Sequence, residues 1–397
     1  MGSVYVIVLM IVAVYGDGED AQETTTAGLT ANSNNKIPSV DNGLTDTELL
    51  MSFVVFRHGD RTPDQEELDK FPADNTNDNI FFPYGKKALT NKGKQRGFRV
   101  GEYLKKRYVN KLISKLYLPD EIVIRTTDYA RTKMTALTAL AAMYPPPAAQ
   151  RWNPFLNWQP VPYDTEPHED DDLLYYYNCP RYLHLRAKVY KSTEVQKWLK
   201  PYESLFKFLS QKTGTNISTP EDVFYLDNLF QTLANVGVKP PTWAQEVMPK
   251  IKEITKIEYA CQFYDSELIR MATGILLTDI LNATNAARMG DREQPNLHLY
   301  SAHENNVAAL MAGIGVFKPH QPKYGSAILL EFRKHLLTGQ YGFTAVHAPD
   351  AGGPGIVLPI SGCGGQPFCD YDTFVTLTVD NVLSRSEYGE QCAILDR

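Results

Sequence analysis

The sequence predicts an α/β fold: a mainly parallel open sheet flanked by helices, with an all-helical cap inserted into it. Three observations lead there. Two β-branched or aromatic runs, each followed by a helical stretch, open the structured part of the chain. Strand signals then vanish from about Arg151 to Asp291, where helical periodicity recurs. They return at Leu297, so a β-α-β-α start and a strand-rich end share one sheet around a helical middle.

The elements follow in order. Glu48 to Phe56 is an apolar run that reads as a buried strand. After a turn-rich loop with Pro72, Pro83 and Gly85, Thr90 is placed to cap a helix through about Leu112. Its Val100, Leu104, Tyr108 and Leu112 repeat at helical spacing. Glu121 to Ile124 is a second strand, and Thr127 or Asp128 caps a helix that ends at Met143, before Pro145-Pro146-Pro147. Helices are expected at Tyr182–Leu209, Pro220–Asn235, Thr242–Tyr264 and Glu267–Asn282. Strands resume at Leu297–Ala302, Ser326–Phe332 and Tyr341–His347, the last two joined as a hairpin through Gly339. The catalytic core is therefore assigned to 47–150 and 292–397 and the cap to 151–291, with no internal repeat.

Composition narrows the function classes. A net charge of −6 over 397 residues argues against a nucleic-acid partner or an anionic membrane surface, which need a basic face. Phosphate binding then requires a locally basic pocket. The apolar run Val4 to Tyr15 is too short to span a bilayer and has the length of a signal-peptide core, so 1–18 is read as a signal peptide. The Thr-, Asn- and Gly-rich stretch 19–46 is read as flexible. Sequons at Asn216 and Asn282 fit glycosylation on a secretory route, and neither a second long apolar stretch nor a lipidation box suggests a membrane anchor. Secretion to the extracellular space follows. Five cysteines fit two disulfides and one free thiol. Cys363 and Cys369 flank a Gly-Gly-Gln-Pro-Phe turn, Cys179 and Cys392 remain for a long-range bridge, and Cys261 sits in an apolar run that reads as core.

The chemistry lies where strands end. Arg57-His58-Gly59-Asp60-Arg61-Thr62-Pro63 follows the first strand, Arg125 the second and His303-Glu304 the third in an open α/β sheet, whose ligands bind at strand carboxyl ends. Converged, Arg57, Arg61 and Arg125 offer three guanidiniums to the non-bridging oxygens of a phosphate. Gly59 lets the backbone approach closely. His58 is the nucleophile this set supports, kept neutral by the surrounding arginines. Glu304, beside His303, supplies the leaving-group proton, because an ordinary glutamic acid with a pKa of about 4.3 is partly protonated at acidic pH. Neither a metal nor a cofactor is needed. The run His168-Glu169-Asp170-Asp171-Asp172 lacks metal-ligand spacing and reads as a solvated loop, and Trp152, Phe155 and Trp158 read as core or interface.

The Arg57–Pro63 segment resembles the signature of the histidine acid phosphatases, the branch of the histidine phosphatase superfamily with prostatic, lysosomal and insect venom members. Further landmarks follow in order: Leu89-Thr90 with Gly93, Gly101 to Tyr108, Arg125 to Thr132, Trp152-Asn153-Pro154, Trp158-Gln159-Pro160, Asn178-Cys179-Pro180 and Tyr300 to His303. The resemblance spans roughly Glu48 to Cys392. It implies a histidine phosphatase/phosphoglycerate mutase-like fold, a phosphohistidine at His58, and phosphate held by Arg57, Arg61, Arg125 and His303. It implies pairing of Cys179 with Cys392 and of Cys363 with Cys369, with Cys261 free. A homodimer using the Trp152–Pro162 segment also follows from it. One departure stands out: Glu304 occupies a position where typical members have Asp, which moves the carboxyl by roughly 1 Å. Phytase-like relatives carry Glu one residue further on.

The function expected is a secreted acid phosphatase acting on small phosphate monoesters. The rival readings are a catalytically weak secreted binder or allergen that keeps the fold, as in a venom or saliva component, and a phosphoryl-transfer mutase of the same superfamily.

Overall fold

The computed structural model describes residues 44–72, 78–291 and 293–394. The leader expected at 1–18 and nearly all of the flexible segment expected at 19–46 lie outside the described residues. Eight strands form one sheet: β1 (Thr47–Arg57), β2 (Ile122–Thr126), β3 (Asp164–Thr165), β4 (Leu297–Ala302), β5 (Ala327–His335), β6 (Tyr341–Ala348), β7 (Ile356–Leu358) and β8 (Cys369–Asp370). The order is β3-β2-β4-β1-β5-β6-β7, with β8 paired to β6. The β3-β2-β4-β1 half is parallel. Beyond β1 the pairing is antiparallel, because the Gly339 turn returns β5 directly into β6. The sheet is therefore mixed, with parallel pairing confined to the half whose strand ends carry Arg57, Thr126 and Ala302.

Helices cover both faces, which is why β1 is buried along Met51–Arg57 rather than alternating. Phe53 and Val55 point to the face covered by α9 (Ser266–Arg288) and α10 (Glu304–Gly313). Val54 and Phe56 point to the face covered by α2 (Asn91–Tyr108) and α3 (Ala130–Met143). Thr90 caps α2 as expected, its hydroxyl accepting from the Gly93 amide at 3.1 Å.

Between β3 and α9 lie α4 (Pro180–Tyr190), α5 (Thr193–Leu199), α6 (Glu203–Thr213), α7 (Pro220–Ala234) and α8 (Thr242–Gln262). A four-residue helix α1 (Gln65–Leu68) from the loop after β1 packs on α7. Two apolar clusters hold this lobe together, one around Tyr182, Tyr259 and Leu268 and one around Leu226, Phe230 and Ile254. The segment grouped in sequence as one helical cap is divided by packing. β3 pairs with β2, and α9 sends Leu276, Leu277 and Ile280 into the core beneath the sheet. The reason is the apolar length of α9, whose buried positions recur over its whole span.

Disulfides join Cys179 to Cys392 and Cys363 to Cys369, and Cys261 is a buried free thiol. The first ties the start of α4 to the end of α12 (Arg385–Cys392), behind α11 (Tyr371–Thr378) in the chain. Asn216 is exposed in the loop between α6 and α7, and Asn282 is exposed on α9. Among the described residues no helix is long and apolar enough to cross a membrane.

The α2–α3 contact sets how closely α3 approaches the end of β1. Gly93, Gly97 and Gly101 recur every fourth residue of α2, and a Cβ at Gly101 would lie 2.1 Å from the Ala139 carbonyl oxygen. Gly101→Ala is expected to destabilise the protein by about 1–3 kcal/mol, because backbone is the clashing partner. A thermal or urea melt measures it, and an unchanged midpoint would show that the helices can separate freely.

Candidate active site

The loop after β1 enters the site through a close backbone contact. A Cβ at Gly59 would meet the Gly93 carbonyl oxygen at 2.2 Å, so only glycine at both positions lets the loop sit against α2. Asp60, buried, fixes the loop further by taking both Arg96 and Lys92. Burial alone would raise its pKa, but the Arg96 hydrogen bond and charge hold it below the ordinary carboxylate value. Asp60 is thus an anchor of the loop.

His58 is buried at the end of β1, its amide donating to Ala302 of β4 at 3.0 Å. Its Nδ1 lies 2.8 Å from the Gly59 carbonyl oxygen. A carbonyl only accepts, so Nδ1 carries the hydrogen and the neutral ring keeps its lone pair on Nε2. Burial, then Arg131, His303, Arg57 and Arg61, hold its pKa well below the usual value. His303 caps α10 and meets His58 edge to face at 5.4 Å between ring centroids. Its Nε2 hydrogen-bonds the Thr127 hydroxyl at 2.9 Å, and burial and Arg131 depress its pKa in the same way. The charged form of both rings is disfavoured.

The arginines divide unexpectedly. Arg57 Nη1 donates to the Pro322 carbonyl at 2.6 Å, its guanidinium stacks on Tyr324, and its Nε lies 2.9 Å from Glu304. Arg61 is gripped in bidentate fashion by buried Glu67, at 2.8 and 2.5 Å. Arg125, expected as the third phosphate donor, does not join them. Its Nη2 lies 3.1 Å from Asp171, and its Nη1 donates to the Thr126 carbonyl. Strand alternation explains this, since Arg125 shares with Val123 and Tyr300 a cavity that also touches Asp279 of α9. The partner comes from the acidic run expected to be solvated: Asp171 is 1% exposed, and burial raises its pKa against the pull of Arg125.

Arg131 stands where Arg125 was expected. It lies in the first turn of α3, buried, with its guanidinium 4.1 Å over the Tyr129 ring. It is the charged group that most depresses both histidines. A signal for it was present in the sequence: cations are disfavoured at a helix N-terminus, so an arginine in a first turn calls for an anion. Arg57 Nη2, Arg61 Nε and Arg131 Nε and Nη1 are buried donors with no hydrogen-bond partner. Buried donors are normally satisfied, so this set points to an anionic ligand.

Ligating atoms of His58, His303 and Glu304 lie within 4.8 Å of one another, a spacing a metal ion tolerates. The adjacent guanidiniums oppose a cation there and favour phosphate. Glu304 is the first residue of α10 and 7% exposed, so its carboxyl faces the protein interior.

Residues 48–353 match the histidine phosphatase superfamily (branch 2). Prostatic acid phosphatase of Bos taurus is 32% identical over 368 residues, covering 90% of this chain and 91% of that protein. Venom acid phosphatase Acph-1 of Apis mellifera is 28% identical over 350 residues, 86% of this chain and 87% of that one. Among solved structures, Hafnia alvei phytase in complex with myo-inositol hexakis sulphate has a TM-score of 0.65 at 15% identity, over 88% of this chain and 99% of that chain. The shared fold, the matched region and the histidine–arginine cluster agree, and the chain is a phosphatase belonging to the histidine phosphatase superfamily, branch 2.

Proposed function

We propose that the protein is a secreted acid phosphatase that hydrolyses small phosphate monoesters through a phosphohistidine on His58. The observation that carries this is the set of unpartnered guanidinium donors around a neutral imidazole whose Nδ1 is already committed to Gly59. His58 Nε2 attacks phosphorus in line while the bond to the ester oxygen breaks. Glu304 gives its proton to the departing oxygen, and its carboxylate then takes one from the water that cleaves the P–N bond. Phosphate leaves and His58 returns to the neutral state. Arg57, Arg61 and Arg131 stabilise the equatorial oxygens in both steps, with His303 lining the site beside them. No metal is required, since the guanidiniums supply the charge. Arg125 supports the Asp171 loop in this reading.

Secretion is the compartment that fits the leader, the sequons at Asn216 and Asn282 and the two disulfides. Retention of residues 1–18 by protein recovered from a secreting host would remove that part. The exposed Trp152–Pro162 segment supports a homodimer: Phe155 is 97% and Trp152 59% exposed, large apolar areas for a monomer. Sedimentation should give a dimer that Phe155→Asp converts to monomer. A monomeric parent rules the dimer out.

His58→Ala should lower kcat by at least about 10⁴-fold. Arg131→Ala should cost about 10²–10³-fold, the usual loss for one preorganised donor, whereas Arg125→Ala should change kcat/KM only within about threefold. A fluorogenic monoester assay near pH 5 separates them, and equal, negligible turnover by parent and His58→Ala would favour the weak-binder reading. Glu304→Gln should cost about 10²–10⁴-fold with alkyl phosphates and under about tenfold with nitrophenyl phosphate, whose leaving group needs no proton. The same loss for both ester classes would take the proton-donor role away from Glu304.

A further inference from the structure

The short segment after Pro63 sends two carboxylates toward the site arginines, and they behave differently. Glu67 holds Arg61 in bidentate fashion at 2.8 and 2.5 Å and also accepts from the Asp64 amide at 3.0 Å. Its oxygens are committed. Asp64 is the N-cap of α1, in a capping box with Glu67, but it closes no bond to an arginine. Its Oδ1 lies 3.8 Å from Arg61 Nη1 and its Oδ2 3.5 Å from Arg131 Nη2. Neither distance is a hydrogen bond, and Oδ1 is buried without a partner.

A carboxylate thus bridges two of the three arginines without closing a bond to either. The charged and titratable groups facing it are Arg61 from its own loop, Glu67 from α1, and Tyr129 and Arg131 from the start of α3. From α7, packed along α1, Asp222 is turned instead to Lys70. Burial lowers the pKa of Arg131, and Asp64 is the group that most offsets this. The pair of guanidiniums therefore faces an internal anion that is held by the α1 cap and pairs closely with neither of them.

We propose that Asp64 is a resident counter-anion of the phosphate site, one that phosphate must outcompete for Arg61 and Arg131. This rests on the phosphate-site reading given above. Two anions that share the same guanidiniums in a desolvated site repel strongly, so each weakens the binding of the other. The arrangement lets product phosphate leave more readily. Asp64 acts through Arg61 and Arg131, so it is a positioning residue.

The test is competitive inhibition by inorganic phosphate, measured at one fixed pH for the parent, Asp64→Asn and Asp64→Glu. Asparagine can still cap α1 but carries no charge, so Asp64→Asn should bind phosphate about tenfold more tightly than the parent. Asp64→Glu keeps the charge and should keep the inhibition constant of the parent. Melting curves verify that each variant folds, and Asp64→Ser takes the place of the Asn variant if that one does not. Unchanged or weaker phosphate inhibition in the neutral variant overturns the proposal, and so does an equal gain in Asp64→Glu. A parent that phosphate does not inhibit overturns the phosphate-site reading itself, a different failure from inhibition that is insensitive to Asp64.

Discussion

Burying three guanidiniums beside two imidazoles is the constraint on which the site depends. Each charge taken out of water costs several kcal/mol unless it is paired or hydrogen-bonded. Arg57 is met by Glu304, the Pro322 carbonyl and the Tyr324 ring, Arg61 by Glu67, and Arg131 by Tyr129 and Asp64. The compensation is incomplete, and several donor nitrogens of these arginines stay without a hydrogen-bond partner. That residual demand is of the kind an anionic group satisfies. It also keeps His58 neutral, since a further positive charge in that surrounding is unfavourable.

The rest of the fold delivers these groups to one place. The parallel pairing of β1 with β4 and of β4 with β2 brings the ends of three strands level, with Arg57 opposite Ala302 and Thr126 opposite Ser301. Glycines at 59, 93, 97 and 101 then let the β1 loop, α2 and α3 close to backbone contact, which draws Arg131 inward. The helical lobe contributes a different layer. It seats α1, and with it Glu67 and Asp64, against α7. Chemistry thus comes from the strand ends, while the electrostatic environment of that chemistry comes from an element packed on the lobe.

This division agrees with the pattern of similarity. The fold is shared with phytases at 15% identity, where little besides the sheet, the flanking helices and their order can be common. Identity near 30% to prostatic, venom and lysosomal acid phosphatases extends over most or much of the chain. Glu304, the residue after His303, is held by Arg57 at the start of α10. A longer side chain anchored at its tip places its oxygen by that contact rather than by its own length.

The sequence by itself determined the strands at 47–57, 122–126 and 297–302, the helices that follow them and His58, Arg57 and Arg61, because periodicity and a contiguous motif are local properties. Cysteine spacing made the Cys363 and Cys369 loop visible, but the long bridge needed the resemblance or the fold. Tertiary structure separates Arg125, paired with Asp171, from Arg131, which lies beside the two histidines. Both stand close to the end of the second strand in the chain, and only the side-chain direction of a strand residue, set against that of a residue in the next helical turn, separates them. It also decided that Asp171 is a buried partner, that α9 belongs beneath the sheet and that Asp64 lies between Arg61 and Arg131. Those facts depend on which distant segments share a low-dielectric neighbourhood, and no local pattern of residues encodes that.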